Sequence, residues 1–140
     1  MKFSYPCKIR KTGDEYIVSF PDVPEALTGA SSRKEAEALA KDALIAALRG
    51  YVEDREAIPE PSNGRDLVHL TPLEAAKLGL YIAMREKKVS NVELGKRLRM
   101  AEGAVRRMLD LDHATKIETI YDALKNVFHY QLITNMELVA

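Results

Sequence analysis

Apolar and polar residues alternate strictly over residues 3–10. Phe3, Tyr5, Cys7 and Ile9 fall on one face, and Ser4, Pro6, Lys8 and Arg10 fall on the other. A period of two predicts a half-buried strand. Pro6 has no N–H to donate, which favours an edge or a bulge at that point. Lys11-Thr12-Gly13-Asp14-Glu15 is turn chemistry. Residues 16–20 then form a second strand of a hairpin, and Pro21-Asp22-Val23-Pro24 stops it. A short third strand fits residues 26–30. Ser32-Arg33-Lys34-Glu35 spells a capping box, in which a hydroxyl and a carboxylate satisfy orphan N–H groups reciprocally. Behind it, Ala36, Leu39, Ala40, Ala43, Ala47, Leu48 and Tyr51 recur at helical spacing, up to the acidic stretch 53–56. Ile58-Pro59-Glu60-Pro61-Ser62-Asn63-Gly64 is a connector, stiff and then flexible. Residues 66–70 suit a returning strand.

A domain boundary is placed after residue 70, where the pattern becomes a series of short, capped helices. Thr71-Pro72-Leu73-Glu74 is a second capping box, with proline at the first helical position, where a missing N–H costs little. A helix is predicted over about 72–88. Ser90-Asn91-Val92-Glu93 is a third box and Thr115-Lys116-Ile117-Glu118 a fourth, opening a helix through about 128. Between them, residues 90–110 read as two short helices joined by a tight turn. Val92, Leu94, Leu98, Met100, Val105, Met108 and Leu109 supply an inner face, and Lys96, Arg97, Arg99, Arg106 and Arg107 remain outside. The second helix begins near Ala101 or Glu102. That is the pattern of a DNA-reading helix-turn-helix. Residues 130–139 are apolar and β-prone, so a strand there would either join a sheet or pair with its copy in a second subunit. The fold class is therefore α+β: a small antiparallel sheet with one packed helix over 1–70, and an all-α domain over 71–140 with a possible terminal dimerisation strand.

Charge sharpens this division. The chain of 140 residues has zero net charge, so the molecule as a whole advertises no polyanion partner. Yet residues 1–70 carry ten Lys/Arg against twelve Asp/Glu, and residues 71–140 carry eleven against nine. Within residues 85–107 there are eight basic and three acidic side chains. A basic patch on a neutral protein suits a DNA reader. Arg106 is placed for bidentate readout of guanine, Glu102 for cytosine, and Gly103 for close backbone approach. Arg107, Arg99, Lys96 and Lys88 belong against the phosphate backbone, and Ser90 is a further candidate DNA-binding residue.

Little else points to chemistry. Cys7 is the single cysteine and cannot form an internal disulfide, and His69, His113 and His129 lack metal-ligand spacing. No phosphate loop or nucleophile–histidine pair stands out. No catalytic residue, metal or cofactor is expected. The start MKFSYPCKIRK lacks a signal-peptide core, and the longest apolar run, residues 43–48, is too short to span a bilayer. The expected location is the cytoplasm, away from the membrane. Two competing readings stay open: a stand-alone repressor whose N-terminal domain senses a ligand, and a metal-dependent nuclease using Asp22 and Asp66.

One set of residues resembles a known family. It comprises Tyr16-Ile17-Val18-Ser19-Phe20-Pro21-Asp22-Val23-Pro24-Glu25-Ala26-Leu27-Thr28, then Glu35-Ala36 and Ala40-Lys41-Asp42-Ala43-Leu44. Ile58-Pro59-Glu60-Pro61-Ser62 continues it, as do Glu93-Leu94, Arg97-Leu98 and His113-Ala114-Thr115-Lys116-Ile117. Together these are similar to the HicB antitoxins of toxin–antitoxin pairs, across nearly the whole chain. The resemblance implies a degenerate ribonuclease H-like βββαβ domain without enzymatic activity. That domain would bind and occlude a HicA-type mRNA-cleaving toxin, with Tyr16, Phe20, Asp22 and Pro24 as candidate toxin-binding residues. It implies that the helix-turn-helix domain represses the pair's own operon, as a homodimer or tetramer on double-stranded operator DNA. Three positions depart from the family pattern: Gly29 sits one place early, Arg99 stands where glycine is common, and Ala101 stands where a capping Ser or Thr is common.

Overall fold

At Cys7 the first strand changes partner. In the computed structural model, which describes residues 1–139, the expected strand over residues 3–10 is two elements, β1 (Ser4–Pro6) and β2 (Lys8–Thr12). Pro6 ends the first, and the Cys7 N–H donates to the Asp66 carbonyl at 2.9 Å. β2 pairs antiparallel with β3 (Glu15–Ser19), which pairs antiparallel with β4 (Leu27–Ala30). β1 pairs antiparallel with β5 (Leu67–His69), in the register Tyr5 opposite Val68. The β2–β3 hairpin turns on Gly13, the one glycine with a positive φ, at +62°. Positive φ at the first turn residue alone is the pattern of a type II′ turn, whose twist suits paired strands.

The chain divides into two compact units, residues 1–70 and residues 71–140. In the first, the helix α1 (Arg33–Glu53) packs on the sheet. Its inward residues are Ala36, Ala40, Leu44, Ile45 and Leu48. The alanines allow close approach, as the sequence indicated. Leu39 does not belong to this stripe and is exposed. Leu44 lies on the four-residue ladder Ala36, Ala40, Leu44 and Leu48 that faces the sheet, with Ile45 flanking it on one side and the exposed Leu39 on the other. Val18, Phe20, Val23, Ala26 and Tyr5 complete this core.

The second unit is helical: α2 (Pro72–Lys87), α3 (Asn91–Leu98), α4 (Glu102–Leu109) and α5 (Ile117–Phe128). The four capping boxes fare differently. Only Thr71 and Glu74 make both reciprocal bonds. Ser32 and Ser90 cap the Glu35 and Glu93 N–H groups, but the Glu35 and Glu93 carboxylates turn to Ser31 and Arg97 instead. The fourth box does not form. Thr115 gives its hydroxyl to Lys77, and α5 starts after Lys116 without a side-chain cap. Residues 130–139 form no strand within the single chain. A lone apolar strand has no ladder to join here.

Four helix ends share one device. Arg55, Lys88, Arg99 and His129 are the non-glycine residues with positive φ among the described residues. Lys88, Arg99 and His129 are the C-caps of α2, α3 and α5, and Arg55 follows the C-cap of α1. A left-handed conformation costs a side-chain-bearing residue about 1 kcal/mol. A basic side chain at the negative end of the helix dipole offsets much of that.

Candidate functional site

Residues 90–110 fold into α3, the turn Arg99-Met100-Ala101, and α4. Leu94, Val105, Met108 and Leu109 are buried, and Leu98 and Met100 are half-buried. These two short helices are therefore held by an apolar inner face, with one exception. Val92 is 55% exposed. Gly95 is what lets the turn close. A Cβ there would lie 2.7 Å from the Met100 carbonyl oxygen, and the Gly95 carbonyl accepts the Met100 N–H at 2.8 Å.

All eight basic side chains of residues 85–107 are exposed. Lys96 and Arg97 lie on α3, Arg99 on the turn, Arg106 and Arg107 on α4, and Arg85, Lys87 and Lys88 at the end of α2. Each proposed DNA-binding residue can thus be located. Arg106 is 71% exposed and pairs with Glu102 at 2.7 Å across one helical turn, as Arg97 does with Glu93. Such exposed pairs are worth under about 1 kcal/mol and open readily for a stronger acceptor. The side chains of Lys88, Lys96, Arg99 and Arg107 enter no ion pair among the described residues. Gly103 is half-buried, and a Cβ there would meet only the Arg107 guanidinium at 3.7 Å. Nothing inside the unit demands a glycine at that position. Ser90 is exposed and accepts the Glu93 N–H at 3.1 Å as the cap of α3, and its hydroxyl can still donate. Ala101 offers α4 no side-chain cap, so the first-turn N–H groups of that helix have no side-chain acceptor.

Sequence reasoning missed Lys77. Its side chain is completely buried on α2. The ammonium donates to the carbonyls of Arg107 (3.0 Å), Asp110 (2.8 Å) and His113 (2.7 Å), and to the Thr115 hydroxyl (2.8 Å). Burial pushes this ammonium below the ordinary lysine value, and Asp110 pulls it back. The signal was present: Lys77 interrupts the inward series Leu73, Ala76, Leu80 and Met84, a place where a charge needs partners.

In the first unit, two distant pieces of the resemblance meet. The Asp22 carboxylate accepts from both the N–H and the hydroxyl of Ser62 at 2.9 Å, tying the 20–24 turn to the 58–64 connector. The buried Tyr5 hydroxyl donates to the Pro59 carbonyl at 2.8 Å. Beside them the Tyr51 hydroxyl meets both Glu25 carboxylate oxygens at 2.7 and 2.8 Å. Of the candidate toxin-binding residues, Pro24 is exposed, Asp22 is half-buried, and Tyr16 is half-buried with the Lys11 ammonium 5.7 Å from its ring centre. Phe20 is only 1% exposed; it supports the turn from below. The Asp22 carboxylate holds Ser62, and Asp66 accepts the Cys7 N–H through its main-chain carbonyl. Among the described residues no cluster of three or more His, Cys, Asp or Glu is arranged to hold a metal ion. No helix among them is long and apolar enough to cross a membrane.

These two surfaces lie in a chain with informative relatives. Residues 4–79 match the HicB-like antitoxin family of bacterial toxin–antitoxin systems. The chain is 42% identical over 137 residues to Antitoxin HicB 2 of Photorhabdus laumondii, covering 97% of this chain and 95% of the relative. It is 41% identical over 113 residues to Antitoxin HicB of Escherichia coli K12 (79% and 82%). It is 33% identical over 129 residues to Antitoxin HicB of Pseudomonas fluorescens (89% and 88%). Because the matches span both units at such identity, the chain belongs to the HicB-like family of antitoxins from toxin–antitoxin systems.

Proposed function

We propose that this antitoxin has two working surfaces, one in each unit. Residues 1–70, in which four short strands precede α1 and a fifth follows it, are read as a degenerate ribonuclease H-like domain that binds and occludes a HicA-type mRNA-cleaving toxin without doing chemistry itself. The toxin-facing surface is the turn around Asp22 and Pro24 with the connector that Asp22 holds. The net negative charge of this half favours encounter with a basic, RNA-cleaving partner.

Residues 71–140 act as a helix-turn-helix domain that represses the pair's own operon. The observation that carries this reading is the division of residues 91–109, with the large apolar side chains other than Val92 inward and every basic side chain outward. α4 is the helix for the major groove, with Arg106 reading guanine and Arg107, Arg99, Lys96 and Lys88 on phosphates. The uncapped start of α4 leaves main-chain N–H groups for a phosphate oxygen. Two copies bind half-sites about one duplex turn, or a multiple of it, apart. The tail after α5 supplies the contact between copies, since Ile133, Met136, Leu138 and Val139 are all strongly exposed.

Co-expression with the small reading frame adjacent to this gene tests the first surface. The neighbour's product alone should arrest growth, and this chain should restore it. A harmless neighbour, or one still toxic in the presence of this chain, rejects the reading. Binding of the purified chain to the duplex upstream of the pair tests the second surface. Equal affinity for that duplex and for random DNA of the same length rejects operator recognition.

A further inference from the structure

Lys77 carries a charge in the most expensive place in the second unit, and neither proposed surface uses it. It lies on α2 among Ala76, Leu78, Gly79 and Leu80, all buried. A buried lysine is retained only where its ammonium is well supplied with acceptors. Here four acceptors share three N–H groups. Their positions are informative. Arg107 is in the last turn of α4, Asp110 is its C-cap, and His113 and Thr115 lie on the loop to α5. The last carbonyls of a helix lack partners inside it and form the negative end of its dipole. The ammonium is seated on that end from within.

We infer that Lys77 is the positioning residue of the DNA-reading surface: its ammonium fixes the C-terminal end of α4 and the following loop against α2, and so sets the direction in which Arg106 and Arg107 project. The inference rests on the operator-binding reading of α4. The Arg107 main chain is gripped from inside while its side chain faces out, so slack at the ammonium becomes tilt of the outward face. Removing the charge while keeping the shape takes the ammonium from three carbonyls and a hydroxyl, and leaves the Arg107 and Asp110 carbonyls only the Asp110 and His113 N–H groups at 3.3 and 3.1 Å. A reading helix tolerates misplacement poorly, because bidentate contacts require close alignment.

The experiment uses the full chain and the duplex upstream of its own gene. Lys77→Met keeps the length of the side chain and removes the ammonium. Ile120→Val, a buried change on α5 away from the α4 carbonyls, controls for loss of stability alone. A third chain carries Lys77→Cys in a Cys7→Ser background. It is alkylated with bromoethylamine while unfolded and then refolded, which restores an ammonium at the same reach with sulfur in place of one methylene. Affinity is measured at temperatures where circular dichroism shows each chain folded. Lys77→Met should weaken operator binding about tenfold or more. Ile120→Val should stay within about twofold, and the aminoethylated chain should recover most of the loss. Toxin binding should be equal in all of them.

Lys77→Met binding as tightly as the parent chain overturns the inference, and so does an aminoethylated chain that folds without recovering affinity. Should Lys77→Met fail to fold, the aminoethylated chain decides: folding with operator binding supports the role, and failure to fold overturns it. A parent chain that never distinguishes this duplex from random DNA instead removes the operator reading itself.

Discussion

Arg106 and Arg107 are neighbours with different tasks. Arg106 lies on the outward ladder with Glu102 and Gly103, so Arg106→Ala should relax preference at one base pair of the operator. Arg107→Ala should weaken binding to all sequences alike and flatten its dependence on salt. Titrations against single-base operator variants at several salt concentrations separate the two. Arg99 is exposed with φ +56°. Arg99→Gly should raise the stability of the second unit by well under about 1 kcal/mol, because the left-handed cost and the dipole interaction that offsets it go together, while weakening DNA binding through a lost phosphate contact. A gain in stability with unchanged affinity rejects the phosphate role. Tyr5 supplies a pH dependence. Burial, aided by the charges of Asp22 and Glu60, pushes its hydroxyl up to about 12 from an ordinary 10.0. Between those values the folded chain keeps a proton that the unfolded chain has lost. Its stabilisation is therefore complete below pH 10 and is lost as the pH climbs to about 12. Tyr5→Phe should flatten that alkaline decline in urea midpoint. It should cost roughly 1 kcal/mol at neutral pH for the hydrogen bond lost at Pro59. Parallel alkaline slopes for the two chains count against this assignment.

At the scale of elements, two glycines on neighbouring helices give opposite expectations. An exposed Gly→Ala change inside a helix ordinarily stabilises by about 1 kcal/mol. Gly103→Ala should follow that rule, since its new methyl group meets only a flexible guanidinium. Gly95→Ala should break it, because the methyl group would meet the Met100 main-chain oxygen at 2.7 Å and force α3 from the turn. Thermal unfolding of the two variants checks the signs, and a more stable Gly95→Ala chain rejects the close-packing account of the turn. The helix ends were legible where a cap is local. Ser32, Thr71 and Ser90 all accept the N–H three residues on. Thr115 was misread because its hydroxyl has a distant competitor, and Lys77 reaches it across 38 positions of sequence.

Across the molecule, the charge division and the unit division coincide near residue 70. A chain ending at residue 70 should still neutralise the toxin and should lose operator binding altogether. Growth rescue and DNA titration with that fragment test the separation, and failure of rescue by a folded fragment shows that toxin binding needs the second unit. Much of the architecture was legible. The chain divides into compact units beside the second capping box, and the cations expected outside over residues 85–107 are all exposed. The candidate toxin surface was less so. Asp22, marked as a contact residue, spends an oxygen on Ser62, forty positions away. Phe20, marked beside it, is core.

By itself, the order of residues determined what depends on near neighbours: strand and helix periods, three helix starts, the hairpin at Gly13, and the sign of each surface. Such features follow from backbone geometry and solvation within a few residues of the chain. The tertiary structure alone decided where a polar side chain far along the chain finds its partner. It split one strand between two others at Cys7, joined Asp22 to Ser62, and placed a buried ammonium under the end of α4. Desolvation makes acceptors obligatory for the buried ammonium once the core closes, but which groups are brought together in all three places is settled by packing and not by local sequence.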